Sequence, residues 1–265
     1  MLKNYLKTAW RNLNRDKSYS VINIFGMAIG VAACLLISLY IIDELSYDKF
    51  HKKYERIYRM YTDGQFGNNK FHSPYMSNPA KDALLDEFAQ VEHATWFFDS
   101  DQVRFQYDDK VFIENRVFYA DSGFFNVFSF PLKKGNIKTA LSKPYQVVLT
   151  ESMARKYFGN DDPMGKMIRI HQDNLYQVTG VCEDVPDNSH FHFNFLVSYS
   201  STGVSKDELW INNSVYTYIT LKEGTDPGEF EEQLDQFVLK YVGPEVERMM
   251  GVAIEEFEKR GNSFG

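Results

Sequence analysis

The stretch from Gly159 to Lys166 comes nearest to a nucleotide-binding loop. Such a loop holds four residues between its first glycine and a Gly-Lys-Ser/Thr end, because its backbone must wrap phosphates and its hydroxyl must reach magnesium. Here five residues separate Gly159 from Gly165, and Met167 follows the lysine. The expectation is structural: Gly159 stops a helix, while Pro163 and Gly165 shape the turn beyond it. His190 and His192 alternate with Phe191 and Phe193, so on a strand both imidazoles would share one side and zinc could bridge them, but no third ligand is apparent. Hydrogen-bonded or solvent-facing histidines are the simpler expectation. The acidic pairs Asp108-Asp109 and Asp161-Asp162 fall in turn-like segments, where carboxylates cap backbone rather than act as acid and base. No Ser/His/Asp or Cys/His set is recognisable. The residues imply neither catalysis nor a cofactor, and no metal.

The elements that would position these residues begin with an apolar run. Residues 18–42 are 25 positions without a charge, bounded by Lys17 and Asp43. As a helix, residues 21–42 span about 33 Å against roughly 30 Å of bilayer hydrocarbon. Lys3, Lys7, Arg11, Arg15 and Lys17 precede the run with a single acid, Asp16, which predicts a cytoplasmic N-terminus. Of the 29 bases and 36 acids, 24 and 35 lie after residue 42. The outer part is therefore acidic, unlike a nucleic-acid-binding surface, which needs clustered Lys and Arg.

Val31-Ala32-Ala33-Cys34 resembles the cleavage site of a lipoprotein signal. A cleaved signal has an apolar core of about 7–15 residues ending at that site, whereas residues 35–42 continue apolar, favouring a retained span. Ahead of it, Leu2, Tyr5, Leu6, Ala9, Trp10 and Leu13 recur at helical spacing while Lys3, Lys7 and Arg11 step by four, the pattern of an amphipathic helix lying in the membrane interface. Gly26 and Gly30 form a G-x-x-x-G pair extended by Ala33, a small-residue face suited to close helix packing. Cys182 is the lone cysteine beyond the span, so no disulfide forms within the outer domain, which must rest on its core.

Beyond the span, residues 43–54 are expected to continue helical and residues 57–61 to form a strand. A helix over residues 79–88 and a strand over 93–98 complete a βαβ-like unit. Hairpins are expected for 103–107 with 111–117, and for 167–171 with 176–181 around Gln172-Asp173-Asn174. Asp121-Ser122-Gly123-Phe124-Phe125 starts a short helix, and strand 147–149 leads to Thr150 as N-cap of a helix ended by Gly159. Strands at 193–198 and 215–221 and an amphipathic helix at 227–242 follow. The tail 249–265 shows no cap, final core element or second span, as expected of a piece of a longer protein. The many aromatics, Trp96-Phe97-Phe98 and Phe124-Phe125 with Phe128 and Phe130 among them, are expected in the core.

The motifs along the chain resemble those of permease subunits of ABC transporters of the MacB/FtsX type, especially a Bacteroidetes group. The pattern is carried by residues 9–13 (AWRNL), 22–30 (INIFGMAIG) and 44–51 (ELSYDKFH), with Glu44, Tyr47, Asp48, Phe50 and His51, and by Tyr58-Arg59. It continues through Asp121, Phe124 and Phe125, residues 149–151, Gly159, Pro163, Gly165, Gly180, and Ser189-His190. The resemblance implies an α+β fold: one N-terminal transmembrane helix, then a periplasmic porter-like domain of βαβ units (43–102 and 182–265) with an inserted β-rich sabre-like subdomain (103–181). It implies an inner-membrane permease without catalysis of its own, in an export or lipoprotein-extraction system. Its partners would be a cytoplasmic ABC ATPase, a second permease subunit in a homo- or heterodimer, the bilayer, and a periplasmic adaptor or lipoprotein. The alternative is a single-span sensor or binding module.

Overall fold

The computed structural model describes residues 2–15, 17–171, 174–259 and 261–264. The chain divides into two units, residues 1–48 and 49–265. In the first, α1 (Leu2–Arg15) and α2 (Lys17–Glu44) are both helical. No residue of α2 is buried, and its Val, Ile, Leu and Phe side chains are exposed all round. A helix so apolar on every face is stable only where something other than water surrounds it.

The helix does not run on through residues 43–54 as its pattern suggests. It stops at Glu44. The Ser46 hydroxyl donates to the Asp43 carbonyl at 2.7 Å, and Asp48 sits in the left-handed region at φ +59°; both draw the backbone out of the helical ladder.

The second unit is α+β. Its elements are β1 (Ile57–Arg59), β2 (Thr62–Phe66), β3 (Asn69–Ser73), β4 (Met76–Ser77), α3 (Ala80–Glu87), β5 (Val91–Ser100), β6 (Val103–Tyr107), β7 (Lys110–Glu114), β8 (Val117–Ala120), α4 (Phe124–Val127), β9 (Leu132–Gly135), β10 (Gln146–Thr150), α5 (Glu151–Phe158), β11 (Met167–Ile170), β12 (Asn174–Cys182), β13 (Phe195–Ser198), β14 (Asn213–Leu221), α6 (Pro227–Tyr241), α7 (Gly243–Met250), α8 (Ile254–Lys259) and β15 (Ser263–Phe264). One sheet runs β1-β14-β5-β8-β13-β10-β12-β11-β6-β7, with β4 added to β14 and β9 to β12. β1 and β5 both lie antiparallel to the intervening β14, so with α3 they make a split βαβ unit. The parallel pairs β8·β13 and β10·β12 bury their strands on both faces, and β8, β13 and most of β10 are correspondingly inaccessible. Both expected hairpins are present, as β6·β7 and β11·β12, but the strand expected over 111–117 stops at Glu114, and Val117 opens β8, which pairs with β5 and β13; Gln172 and Asp173 lie outside the described residues.

Local chemistry explains most helix ends. Asp226 caps α6 by accepting from the Gly228 and Glu229 N–H groups, and Phe230 and Phe237 turn inward two turns apart. Gly159 ends α5 at φ +63°. Thr150 stands at the N-cap of α5 but its side chain makes no capping bond. Asp184 does that work from the far end of β12, accepting from the Ser152 N–H at 3.0 Å and hydroxyl at 2.6 Å.

Two further differences concern the ends of the domain. The tail does contribute core: Phe257 of α8 is buried and meets Phe66 edge-on at 5.8 Å, while β15 pairs with β2. The β2·β3 hairpin under it escapes the periodicity because its strands alternate weakly; its signal is the Gly67-Asn68 turn, with Gly67 at φ +58°. Residues 190–194 are not a strand, which begins only at Phe195, so the alternation that would align His190 with His192 does not apply.

Candidate functional site

Several of the motif residues, far apart in the chain, converge on a single aromatic cluster. Its buried members include Phe97, Phe118, Phe124, Phe125, Phe128 and Phe130, with Phe50, Ile57 and Phe191 packed against it. Each phenyl ring so buried contributes about 1.5–3 kcal/mol, and the edge-to-face pairs add to this, such as Phe130 on Phe193 at 5.0 Å between centroids. The cluster explains why Phe124 and Phe125 stand together: on the single turn of α4 both point inward.

His51 is inside this cluster, 2% exposed. Its ring lies 5.3 Å from Phe128 and 5.0 Å from Phe130. Nδ1 accepts the Ser129 N–H at 3.1 Å, so the ring proton belongs on Nε2 in the neutral form. The Ser129 hydroxyl in turn accepts the Lys52 N–H at 3.0 Å. Phe50 packs on Phe130 at 5.5 Å. Just beyond, Lys53 and Arg56 clamp the Glu92 carboxylate at 2.6 and 2.8 Å, and Arg56 also donates to the Leu221 carbonyl at 2.7 Å. Lys53 hydrogen-bonding, opposed by partial burial, holds Glu92 below the usual carboxylate range. Residues 50–56 are thus fixed to the sheet at Glu92 and Leu221 and to the loop before β9 at Ser129 and Phe130.

Asp121 supports the cluster from beneath. Its carboxylate accepts from Lys81 Nζ at 2.7 Å, from the Thr95 hydroxyl and from the Gly123 N–H at 3.2 Å. Burial drives its carboxyl up, and Lys81 pulls against that; Lys81 is held protonated despite its own burial because Asp121 faces it. The ammonium also lies 4.2 Å over the Trp96 ring. Gly123 has a packing reason of its own, since a Cβ there would stand 2.4 Å from the Ala94 carbonyl oxygen.

Ser189 and His190 reach the same cluster from the loop before β13. The Ser189 hydroxyl donates to the Phe191 carbonyl at 2.8 Å, and His190 Nε2 bonds the Tyr218 hydroxyl at 2.8 Å. Gly180 lies alongside, where Val148 would be 3.2 Å from a Cβ, and pairs with Gly135 of β9.

Other motif residues stand elsewhere. Tyr58 packs on the α3 and α6 side, and Arg59 lies between the rings of Tyr61 and Tyr216 at 5.0 and 4.8 Å. Gly159, Pro163 and Gly165 belong to the α5–β11 turn, where the Gly165 N–H bonds the Val178 carbonyl at 2.8 Å. Glu44, Tyr47 and Asp48 belong to the first unit, as do Gly26, Gly30 and Ala33, exposed on α2, and Lys3, Lys7, Trp10 and Arg11, exposed on α1. Ser129, Glu92 and Lys53 gave no sequence signal, being single polar residues without a pattern. A second buried carboxylate, Glu114, was likewise silent; it accepts from Lys156 at 2.6 Å and from the Tyr157 hydroxyl at 2.5 Å.

Among the described residues no group of His, Cys, Asp and Glu is arranged to hold a metal, and Cys182 is buried with its thiol pushed up by desolvation. The chain thus joins an apolar helix long enough to cross a membrane to a sheet domain whose first residues pack into an aromatic cluster. The chain belongs to the MacB-like periplasmic core domain family, which matches residues 20–237. It is similar to a domain assigned to a permease protein of Porphyromonas gingivalis, at 25% identity and TM-score 0.65, over 81% of this chain and 89% of that one. Weaker similarity reaches the periplasmic region of MacB from Actinobacillus actinomycetemcomitans (19% identity, TM-score 0.49, 68% and 83% covered). It reaches also the extracellular domain of the noncanonic ABC-type transporter YknZ from Gram-positive bacteria (13% identity, TM-score 0.47, 74% and 96% covered). Among curated proteins no sequence matches the chain. The family is that of an ABC permease's periplasmic domain, which is not itself catalytic.

Proposed function

We propose that this chain is the N-terminal part of an inner-membrane permease that converts motion of its membrane helices, driven by a separate cytoplasmic ABC ATPase, into displacement of its periplasmic domain. The observation that carries this reading is the family match itself, which begins inside the apolar helix and runs unbroken into α6. Helix and domain are one functional module. The lock at residues 50–56 supports it mechanically, because a displacement entering the domain there meets a dense hub rather than a loose linker.

In this reading the basic flank keeps the N-terminus cytoplasmic. Lys3, Lys7, Trp10 and Arg11 set α1 in the interface, and Gly26, Gly30 and Ala33 pack α2 against a helix of a second subunit. The porter-like part and the sabre-like insert at residues 103–181 would present the surfaces met by an exported molecule, a lipoprotein or a periplasmic adaptor. The far end of the sheet, β12-β11-β6-β7, is drawn from residues 103–182, which supports such an insert, while β8 and β10 of the same stretch lie on either side of β13 in the middle of the sheet. The test is affinity purification of the permease, expressed from its own locus, out of mild detergent. Recovery of an ABC ATPase with it is expected; repeated recovery of the permease without any ATP-binding subunit would leave a single-span binding module.

A further inference from the structure

One edge of the sheet is open. β7 closes the strand order, pairs only with β6 among the described residues, and has Val111 and Ile113 47% and 60% exposed. The two-residue loop Asp108-Asp109 joins Tyr107 to Lys110 as a facing pair. The closing pair of such a hairpin exchanges its backbone hydrogen bonds, and the alternation along the ladder then assigns every other group. Lys110, Phe112 and Glu114 turn their N–H and C=O toward β6. Val111 and Ile113 turn theirs outward.

An outward row of backbone donors and acceptors flanked by β-branched residues is a template for another strand. We infer that the occupant is a second copy of this chain, paired antiparallel through β7 about a two-fold axis at Phe112. The inference rests on the proposal that the permease works as a dimer and names the periplasmic surface where the copies meet. In that register Val111 faces Ile113 of the second copy, and the reverse. These are the residues whose backbone groups are free, so the parity of the ladder is satisfied with four bonds. Both cross-strand contacts on that face are β-branched pairs, which are stabilising.

A register shifted by two residues in either direction leaves only one β-branched pair across the seam, Val111 on Val111 or Ile113 on Ile113, so the register centred on Phe112 is preferred. Glu114 is buried and already held by Lys156 and Tyr157 of its own chain, and the Lys110 ammonium donates to the Tyr157 carbonyl at 3.4 Å, so the seam rests on backbone bonds and on the β-branched face. Five residues per strand make a contact smaller than the roughly 800 Å² per partner that stable soluble dimers bury. Confinement of both copies to one membrane supplies the missing concentration.

Disulfide trapping tests this in membranes holding the full chain, with Cys34→Ala as background and copper phenanthroline as oxidant. Val111→Cys with Ile113→Cys places thiols on facing residues about 5.5 Å apart at Cα, within disulfide reach. Each single variant meets its own copy only on the diagonal, at about 7–8 Å. The double variant is expected to give about tenfold more cross-linked dimer than either single one. Both positions are exposed, so cysteine there leaves the fold intact. Two differently tagged copies, fixed by an amine cross-linker before solubilisation, are purified in parallel. Co-purification without the disulfide would overturn this surface and leave the dimer standing; failure to co-purify would overturn the dimer itself.

Discussion

His51 and Ser129 hold each other across 78 positions of chain: the histidine Nδ1 accepts the serine N–H at 3.1 Å, and the serine hydroxyl takes the N–H of the next residue, Lys52, at 3.0 Å. The pair is enclosed by Phe50, Phe128 and Phe130. It is the first fixed point of the domain after the membrane helix, so its loss should affect stability and coupling together.

His51→Ala removes the acceptor for a buried N–H and opens a hole among three rings. The expected cost is ~2 kcal/mol in urea unfolding of the domain. His51→Asn, which keeps an acceptor, should recover part of this. In the intact permease the alanine variant should lower transport more than it lowers the amount of folded protein; equal losses would reduce His51 to a packing residue.

Asp121→Asn keeps the shape of the carboxylate but leaves Lys81 buried with only the exposed Asp82 at 3.1 Å. Breaking a buried pair on one side costs about 3–5 kcal/mol. The remaining Asp82 contact places the expected loss near the lower figure, about 3 kcal/mol. Lys81→Met in the same chain should restore stability above that of Asp121→Asn alone, because the orphaned charge is gone. A double variant as unstable as the sum of the two singles would show that the residues are not coupled.

How much of this was legible in the sequence depended on whether a residue acts through a pattern. The α2 span, the hairpins at β6·β7 and β11·β12, and the inward turn of Phe124-Phe125 follow from charge-free length, alternation and local turn chemistry, which are properties of neighbours in the chain. The Asp121–Lys81 pair, the Glu92 clamp and the Asp184 cap of α5 are contacts between residues 32 to 40 positions apart, set by how the helices and loops pack on the sheet. The helical reading past Glu44 failed because Leu45, Phe50 and Tyr54 do recur at helical spacing, yet Ser46 and Asp48 divert the backbone between them.

Gly135 and Gly159 both have positive φ, +98° and +63°, yet they should respond differently. A Cβ at Gly135 would lie 2.4 Å from the Thr179 carbonyl oxygen, whereas nothing lies within 4 Å at Gly159. Gly135→Ala combines strain with a backbone clash and should cost at least about 1–3 kcal/mol. Gly159→Asn should cost under about 1 kcal/mol, since asparagine tolerates the left-handed region. Thermal unfolding of the two variants side by side checks the order.

His93, on β5, is held below the ordinary imidazole range, first by partial burial and then by Lys53, with Glu92 opposing. A histidine whose folded pKa is depressed binds fewer protons folded than unfolded, so stability from this group is complete above the unfolded value of 6.5 and falls as pH drops through it. Unfolding midpoints measured at pH 7.5 and 5.5 should therefore decline on acidification, and His93→Gln should flatten the decline. The Glu92 carboxylate, held low by Lys53, works in the same direction but only nearer the carboxylate range. An unchanged slope in His93→Gln would assign the decline to other groups.

Gly26 and Gly30 stand one above the other on α2, each with nothing within 4 Å of the place a Cβ would occupy. In a monomer leucine at both positions would cost nothing and would even favour insertion, since each leucine adds favourable transfer into the bilayer. In a packed pair of helices the same change forces the backbones apart, because the close approach depends on the missing side chains. Gly26→Leu with Gly30→Leu is expected to leave membrane insertion intact while weakening association between copies roughly tenfold, the equivalent of about 1.4 kcal/mol. Resonance energy transfer between labelled copies in vesicles reads this directly. Because β7 and α2 would then act on one dimer, the disulfide between Val111→Cys and Ile113→Cys should form more slowly in the leucine background; an unaltered rate would show that the periplasmic edge pairs without help from the membrane helix.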